Sequence, residues 1–200
     1  FQNSVTNTTG GLMNRKGSNG QILGFRKDGT GVGEIGVSAS SIYLNFGGTV
    51  AAANQFDDYE EGSWTPDPHF ATTGSAGETA LVDGGLQGQY VKIGRLVYYT
   101  FSINFSGRSG SASGNFYVSG LPFNVSNNYW NEESGFPSAY YTGLTNSTGA
   151  PSTQPSNPDK LFFAIPSSSG THSSNTYLNH NHVGTGHIRI RGGGVYRTAT

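Results

Sequence analysis

Three groups of residues carry types that could do chemistry. The first is an acidic run, Asp57, Asp58, Glu60 and Glu61. Paired carboxylates hydrolyse glycosides, and hard cations take oxygen ligands, so a glycosidase pair and a calcium site are the two active readings. A hydrolase needs two carboxylates held in a cleft with one pKa raised, and nothing here marks such a pair. Interleaved with Tyr59 and closed by Trp64-Thr65-Pro66, the run reads better as a solvated neck capped by packed Tyr59 and Trp64. The expectation is a protein with no catalytic residue, not an enzyme. The second group is His180-Asn181-His182. Residues i and i+2 of a strand point to one face, so these two imidazoles could chelate a metal ion. There is one copy only, and Leu178 shares that face, which favours histidines with a structural role. The third group is aromatic and amide-rich: Asn127, Asn128, Tyr129, Trp130, Asn131 and Glu132, then Tyr140 and Tyr141. Aromatic faces stack on sugar rings while amides and carboxylates bond hydroxyls. Asn128, Tyr129, Trp130, Tyr140 and Tyr141 are therefore candidate ligand contacts; the competing reading has Trp130 and Tyr141 pinning a loop. Arg189 and Arg191, alternating with Ile188 and Ile190, read first as a half-exposed strand and second as contacts for an anionic sugar.

The elements that must position these groups are strands. Among 200 residues there are 31 Gly and only 12% charged residues, a balance that disfavours helices, whereas 12 Phe, 11 Tyr and 2 Trp argue against disorder. A net charge of −1 gives no long-range attraction to nucleic acid or anionic lipid, and neither partner is expected. No run approaches the ~20 apolar residues of a membrane span, and no membrane insertion is expected. Zero cysteines exclude disulfides and thiolate zinc sites. Gly29-x-Gly31-x-Gly33 is followed by neither a helical pattern nor Lys-Ser/Thr, so it is no phosphate loop. The chain starts at Phe1 with no signal-peptide pattern, which reads as part of something longer.

Along the chain, residues 1–55 read as a Gly-rich stalk with short strands at 21–25, 32–37 and 42–46 and a turn at Asp28-Gly29. In the third run Ile42, Leu44 and Phe46 form an apolar face that needs a partner, because so short a segment cannot build a core of its own. Residues 56–66, FDDYEEGSWTP, form the neck, and 67–200 a globular β head. Its clearest strand alternates Val97, Tyr99, Phe101, Ile103 and Phe105 with Tyr98, Thr100, Ser102 and Asn104, and a hairpin partner is expected at 116–121. Further strands are expected at 161–165, 176–183 and 187–191, the last ending in Gly192-Gly193-Gly194-Val195-Tyr196, with a long polar, aromatic-containing stretch over 124–158 that reads as loop.

The neck, followed by Gly88-x-Tyr90-x-Lys92-Ile93-Gly94 and Gly120-Leu121-Pro122-Phe123, resembles a module of phage tail fibres that reads roughly DYEEGTWTP, GxYxKIG, GLPF. Upstream, residues 24–35 are similar to the RDGT-x-VG-x-I segment that often precedes it, and residues 194–198 to its final Gly-x-Tyr strand. The resemblance implies an all-β chain, a short fibrous β stalk followed by a β-sandwich (jelly-roll-like) head, intertwined as a homotrimer. It implies a virion location on the extracellular face of the tail, contact with other tail proteins, and binding of host surface glycan or lipopolysaccharide. In such a trimer His180 and His182 would supply six nitrogens to an axial metal ion, as a similar His-x-His arrangement does in some long tail fibres. The alternatives are a capsid-decorating or tail-assembly protein and a polysaccharide depolymerase.

Overall fold

The computed structural model describes residues 13–39, 41–48, 55–56, 58–72, 85–105, 113–126, 133–147, 149–156, 158–165, 177–184 and 186–198. The fold is all-β. Two compact units divide between Tyr59 and Glu60.

The first unit is one sheet of four strands in the order β1 (Gly20–Lys27), β2 (Thr30–Ser38), β3 (Ser41–Asn45) and β4 (Gln55–Phe56). Asp28 and Gly29 link the first hairpin with φ of 51° and 78° while Lys27 pairs with Thr30. Two consecutive positive φ values suit the right-handed twist of a two-residue hairpin, which is why Asp-Gly stands there. Residues paired across strands share a face, so the registers Leu23↔Ile35, Ile35↔Leu44, Leu44↔Phe56 and Val37↔Ile42 collect the apolar side chains on one side. That side stays open: Ile42 is 65% exposed, and Phe25, Leu44 and Phe56 are exposed with it. The buried side is the opposite one. Tyr43 lies across from Gly36, where a Cβ would come within 2.3 Å of the phenol oxygen, and its hydroxyl donates to Glu34 Oε1 at 2.6 Å. Asn45 Nδ2 donates to the Gly47 carbonyl at 2.8 Å. An aromatic ring thus closes over glycine on the polar face, while the apolar face has nothing from these strands to cover it.

The second unit is a sandwich. One sheet contains β5 (Tyr59–Trp64), β7 (Gln87–Ile93), β8 (Leu96–Phe105), β10 (Glu133–Gly135), β11 (Tyr140–Thr142) and β14 (Ile188–Arg197), with β14 between β8 and both β10 and β11. The other runs β12 (Ser152–Ser156), β13 (Lys160–Ala164), β9 (Ser113–Ser119), β6 (Asp67–Thr72). Between them sit the inward residues of β8 together with Phe70, Phe116, Val118, Leu161, Phe163, Ile188, Ile190 and Tyr196. Phe105 and Phe116 stack at 5.3 Å between centroids, and Phe101 meets Phe163 edge to face at 5.8 Å. Each such ring contributes on the order of 2 kcal/mol by leaving water.

Four expectations change. β9 is no hairpin partner of β8: it pairs with β6 and β13 in the opposite sheet. Residues 177–183 form isolated bridges around a turn, not a strand. Stretch 124–158 is not one loop, since β10, β11 and β12 lie within it. The last strand does not stop at Arg191, because β14 runs on through the glycine triplet to Arg197, pairing with β8 throughout. A Cβ on Gly194 would fall 2.5 Å from the Tyr99 hydroxyl, and one on Gly192 3.2 Å from the Phe101 ring. Core aromatics from β8 fill the places where those side chains would stand.

Candidate functional site

Within the neck, Phe56 belongs to β4 of the first sheet, Asp57 lies outside the described residues, and Tyr59–Trp64 form β5 at the edge of a sandwich sheet. Trp64 is buried, its indole N–H donates to the Thr100 carbonyl at 3.2 Å, and its ring meets Tyr99 edge to face. It covers Gly88, where a Cβ would lie 2.2 Å from the indole nitrogen. Tyr90 covers Gly62 in the same way and donates to Glu60 Oε1 at 2.7 Å, which holds the phenol above its ordinary pKa. The segments EEGSW and GQYVKIG are thus two halves of one interlock, each giving the aromatic ring that the other's glycine receives. Tyr59, expected to be packed, is 55% exposed. Glu60 and Glu61, neighbours on a strand, leave opposite faces of β5 and cannot converge on one bond. No group of three or more His, Cys, Asp or Glu able to hold a metal occurs among the described residues.

His180 and His182 do not share a strand face. Asn179 caps a turn there: its Oδ1 accepts from Asn181 N at 2.9 Å and its carbonyl from His182 N at 2.9 Å. His182 Nδ1 accepts from Asn179 N at 3.1 Å, while His180 Nδ1 accepts from Gly114 N at 3.2 Å. One nitrogen of each ring is thereby committed to the backbone, and the two imidazoles sit in a turn, not side by side on one strand face. Burial, then the neighbouring His180, pushes the His182 pKa down. His187 is bonded through Nε2 to Asn104 Oδ1 at the start of β14.

Of the aromatic candidates, Asn128, Tyr129 and Trp130 lie outside the described residues. Tyr140 and Tyr141 sit on β11, paired with Arg191 and Ile190 of β14. Both are exposed, but successive residues leave opposite faces, so they do not form one platform. Tyr140 shares its face with Arg191, whose guanidinium lies 5.8 Å from the ring centroid. Arg189, paired with Thr142, belongs to the same side. This outward face is a strand-borne edge with an aromatic ring, cations and hydroxyls: it can stack on an apolar ring surface and bond an anionic substituent.

Two further features stand on the outer faces. Tyr98 projects outward from β8 and is 51% exposed; its alternation with buried Val97 and Tyr99 was the available signal. On the other sheet, His69, Tyr117 and Phe162 form a cross-strand row, with Tyr177 against Phe162 at 5.1 Å. Period two alone would have aligned the first three, given the strand pairing. No family model matches the chain, and no curated protein matches it. Among solved structures, the crystal structure of Dettilon tailspike protein is similar, with a TM-score of 0.47 and 19% identity over 70% of this chain. That stretch makes up 24% of the tailspike chain, so the similarity spans about a quarter of its length.

Proposed function

We propose that this chain is part of a phage-type virion fibre, a homotrimer that binds host surface glycan or lipopolysaccharide during adsorption. The observation that carries the reading is the open apolar face of the first unit, with Ile42 65% exposed on a single-layer sheet. So small a sheet gains stability by burying that face against other chains, which is what a fibre does. Sugar recognition is supported by the Tyr140–Arg191 edge, whose guanidinium favours acidic residues of a surface polysaccharide. Repetition around a trimer makes weak sites sufficient. A purely binding role, without hydrolysis, is supported by the divergence of Glu60 and Glu61 on β5.

The test has two arms. Light scattering of the purified chain gives the mass of a trimer; a monomer at all concentrations sinks the fibre reading. Soluble protein competes with particles for host cells, and the Tyr140→Ala, Arg191→Ala double variant loses this competition while keeping its melting temperature. Equal competition by the variant removes the edge from recognition. Incubation with host polysaccharide yields no new reducing ends.

A further inference from the structure

The outward face of the larger sheet changes character along its strands. Paired residues share a face, so the registers of β7, β8 and β14 divide it into cross-strand rows. The first row is Ile93, Leu96 and Arg197, and the second is Val91, Tyr98 and Val195. Then come Gln89, Thr100 and Gly193, followed by Gln87, Ser102 and Arg191, with Asn104 and Arg189 beyond. Apart from Arg197 at the rim, the first two rows are aliphatic or aromatic, whereas the later rows carry amides, hydroxyls and guanidinium groups. All three strands make the change at one level, between Gln89 and Val91 on β7, Tyr98 and Thr100 on β8, and Gly193 and Val195 on β14. The apolar rows are open to water in a single copy of the chain: Ile93 is 47% exposed and Leu96 49%, beside half-exposed Tyr98. Apolar residues scattered singly over a surface are ordinary, but a contiguous cluster marks a contact.

The place of these rows in the fold identifies the partner. Trp64 at the end of β5 lies over Gly88, while Glu60 near its start accepts from the Tyr90 hydroxyl. β7 therefore runs against β5 and brings Ile93 to the end of the sheet where the chain enters the sandwich. In the fibre proposed above, chains held together through their first units begin their sandwiches from neighbouring points, so the entry ends are the ends brought together by the rotational symmetry. Resting on that reading, we infer that Val91, Ile93, Leu96, Tyr98 and Val195 pack against the same end of the other copies of this chain. The aliphatic side chains offer a sugar no hydrogen-bond partner, and the rows that do offer them lie toward the far end with Arg191. An apolar centre with Arg197 at its rim is the composition of a contact between proteins. The two ends of one sheet face thus divide the work, the entry end joining copies and the far end meeting the cell surface.

The chain has no cysteine, so introduced thiols report cleanly. After light scattering has read the parental mass, the whole chain carrying Leu96→Cys, or Gln87→Cys at the far end, is treated with a short bismaleimide in dilute solution. Leu96→Cys gives covalent dimers and trimers on a denaturing gel, in a yield about tenfold above that of Gln87→Cys, because only held neighbours reach a high effective concentration. In the same assembly tetranitromethane nitrates Tyr98 about tenfold more slowly than exposed Tyr140, and Ile93→Ser with Leu96→Ser raises Tyr98 to the Tyr140 rate. Ile93 and Leu96 are exposed, so a dilute sample of this variant keeps the parental melting temperature. Equal cross-linking from the two thiols, or nitration of Tyr98 at the Tyr140 rate, in a parent of trimeric mass overturns the inference and leaves the fibre standing. Slow nitration of Tyr98 only after host polysaccharide is added also overturns it, making the rows a sugar site. A monomeric parent sinks the fibre and this inference together, and light scattering detects that before any reagent is added.

Discussion

Ile42 in the first unit and Ile103 in the second occupy the same kind of place, an apolar position in an alternating strand. Yet Ile42 is 65% exposed and Ile103 fully buried. Around Ile103 the chain supplies a second sheet, and Phe105, Phe116 and Phe163 close the space. Around Ile42 the described residues supply neighbours in the same sheet, and the Tyr43 ring covers glycine on the far side. Alternation therefore says which residues want to leave water, but not whether one chain can oblige them. Where it can, the result is a domain; where it cannot, the apolar side is an invitation to association.

The comparison breaks most visibly in the sandwich. Phe116→Ala removes a ring that contacts Phe70, Phe105 and Phe163, and costs about 3–5 kcal/mol in urea unfolding of the second unit. If the proposed fibre buries Ile42 and Phe46 between chains, Ile42→Ser with Phe46→Ser changes the melting of a dilute sample little but removes the rise of melting temperature with protein concentration that assembly would give. An unchanged concentration dependence would show that the first unit does not associate through this face. Gly88→Ala places a Cβ where the Trp64 indole lies and costs about 1–3 kcal/mol, with a change in tryptophan emission. Gly31→Ala, where a Cβ meets nothing within 4 Å, is the first unit's counterpart and shifts stability by under about 1 kcal/mol. The smallest effect is acid sensitivity. The folded-state pKa of His182 lies below its ordinary 6.5, so its contribution is complete above that value and is lost as pH falls through the lowered one. The urea midpoint should fall on acidification, and less so in His182→Asn, which keeps an acceptor near Asn179 N.

Much of this was legible. The run from Val97 to Phe105 announces its buried face, and Asp28-Gly29 its hairpin, because both signals are local. Sheet membership is not local: period two gives β9 a buried face without saying that it belongs opposite β8. The glycine triplet in β14 looked like an ending because the side chains filling that space, Tyr99 and Phe101, come from another part of the chain. At the histidines the misleading cue was their spacing, and the better one was Asn179, whose amide builds a turn. The Arg191–Tyr140 pairing depends on β11 joining β14, a contact no short window of sequence contains.

β14 bears also on time. It pairs along its whole length with β8, and β10 and β11 add to its far side. During synthesis the first unit can zip its hairpin as soon as Thr30 reaches Lys27. β8, by contrast, must wait with one bare edge until Ile188–Arg197 has left the ribosome. Non-local pairings of this kind are slow, and open edges collect the wrong neighbours. In the proposed fibre the first unit would then be ready to meet its copies before the second has a finished sheet, and a chain interrupted before Ile188 would present an open apolar face on an unfinished body.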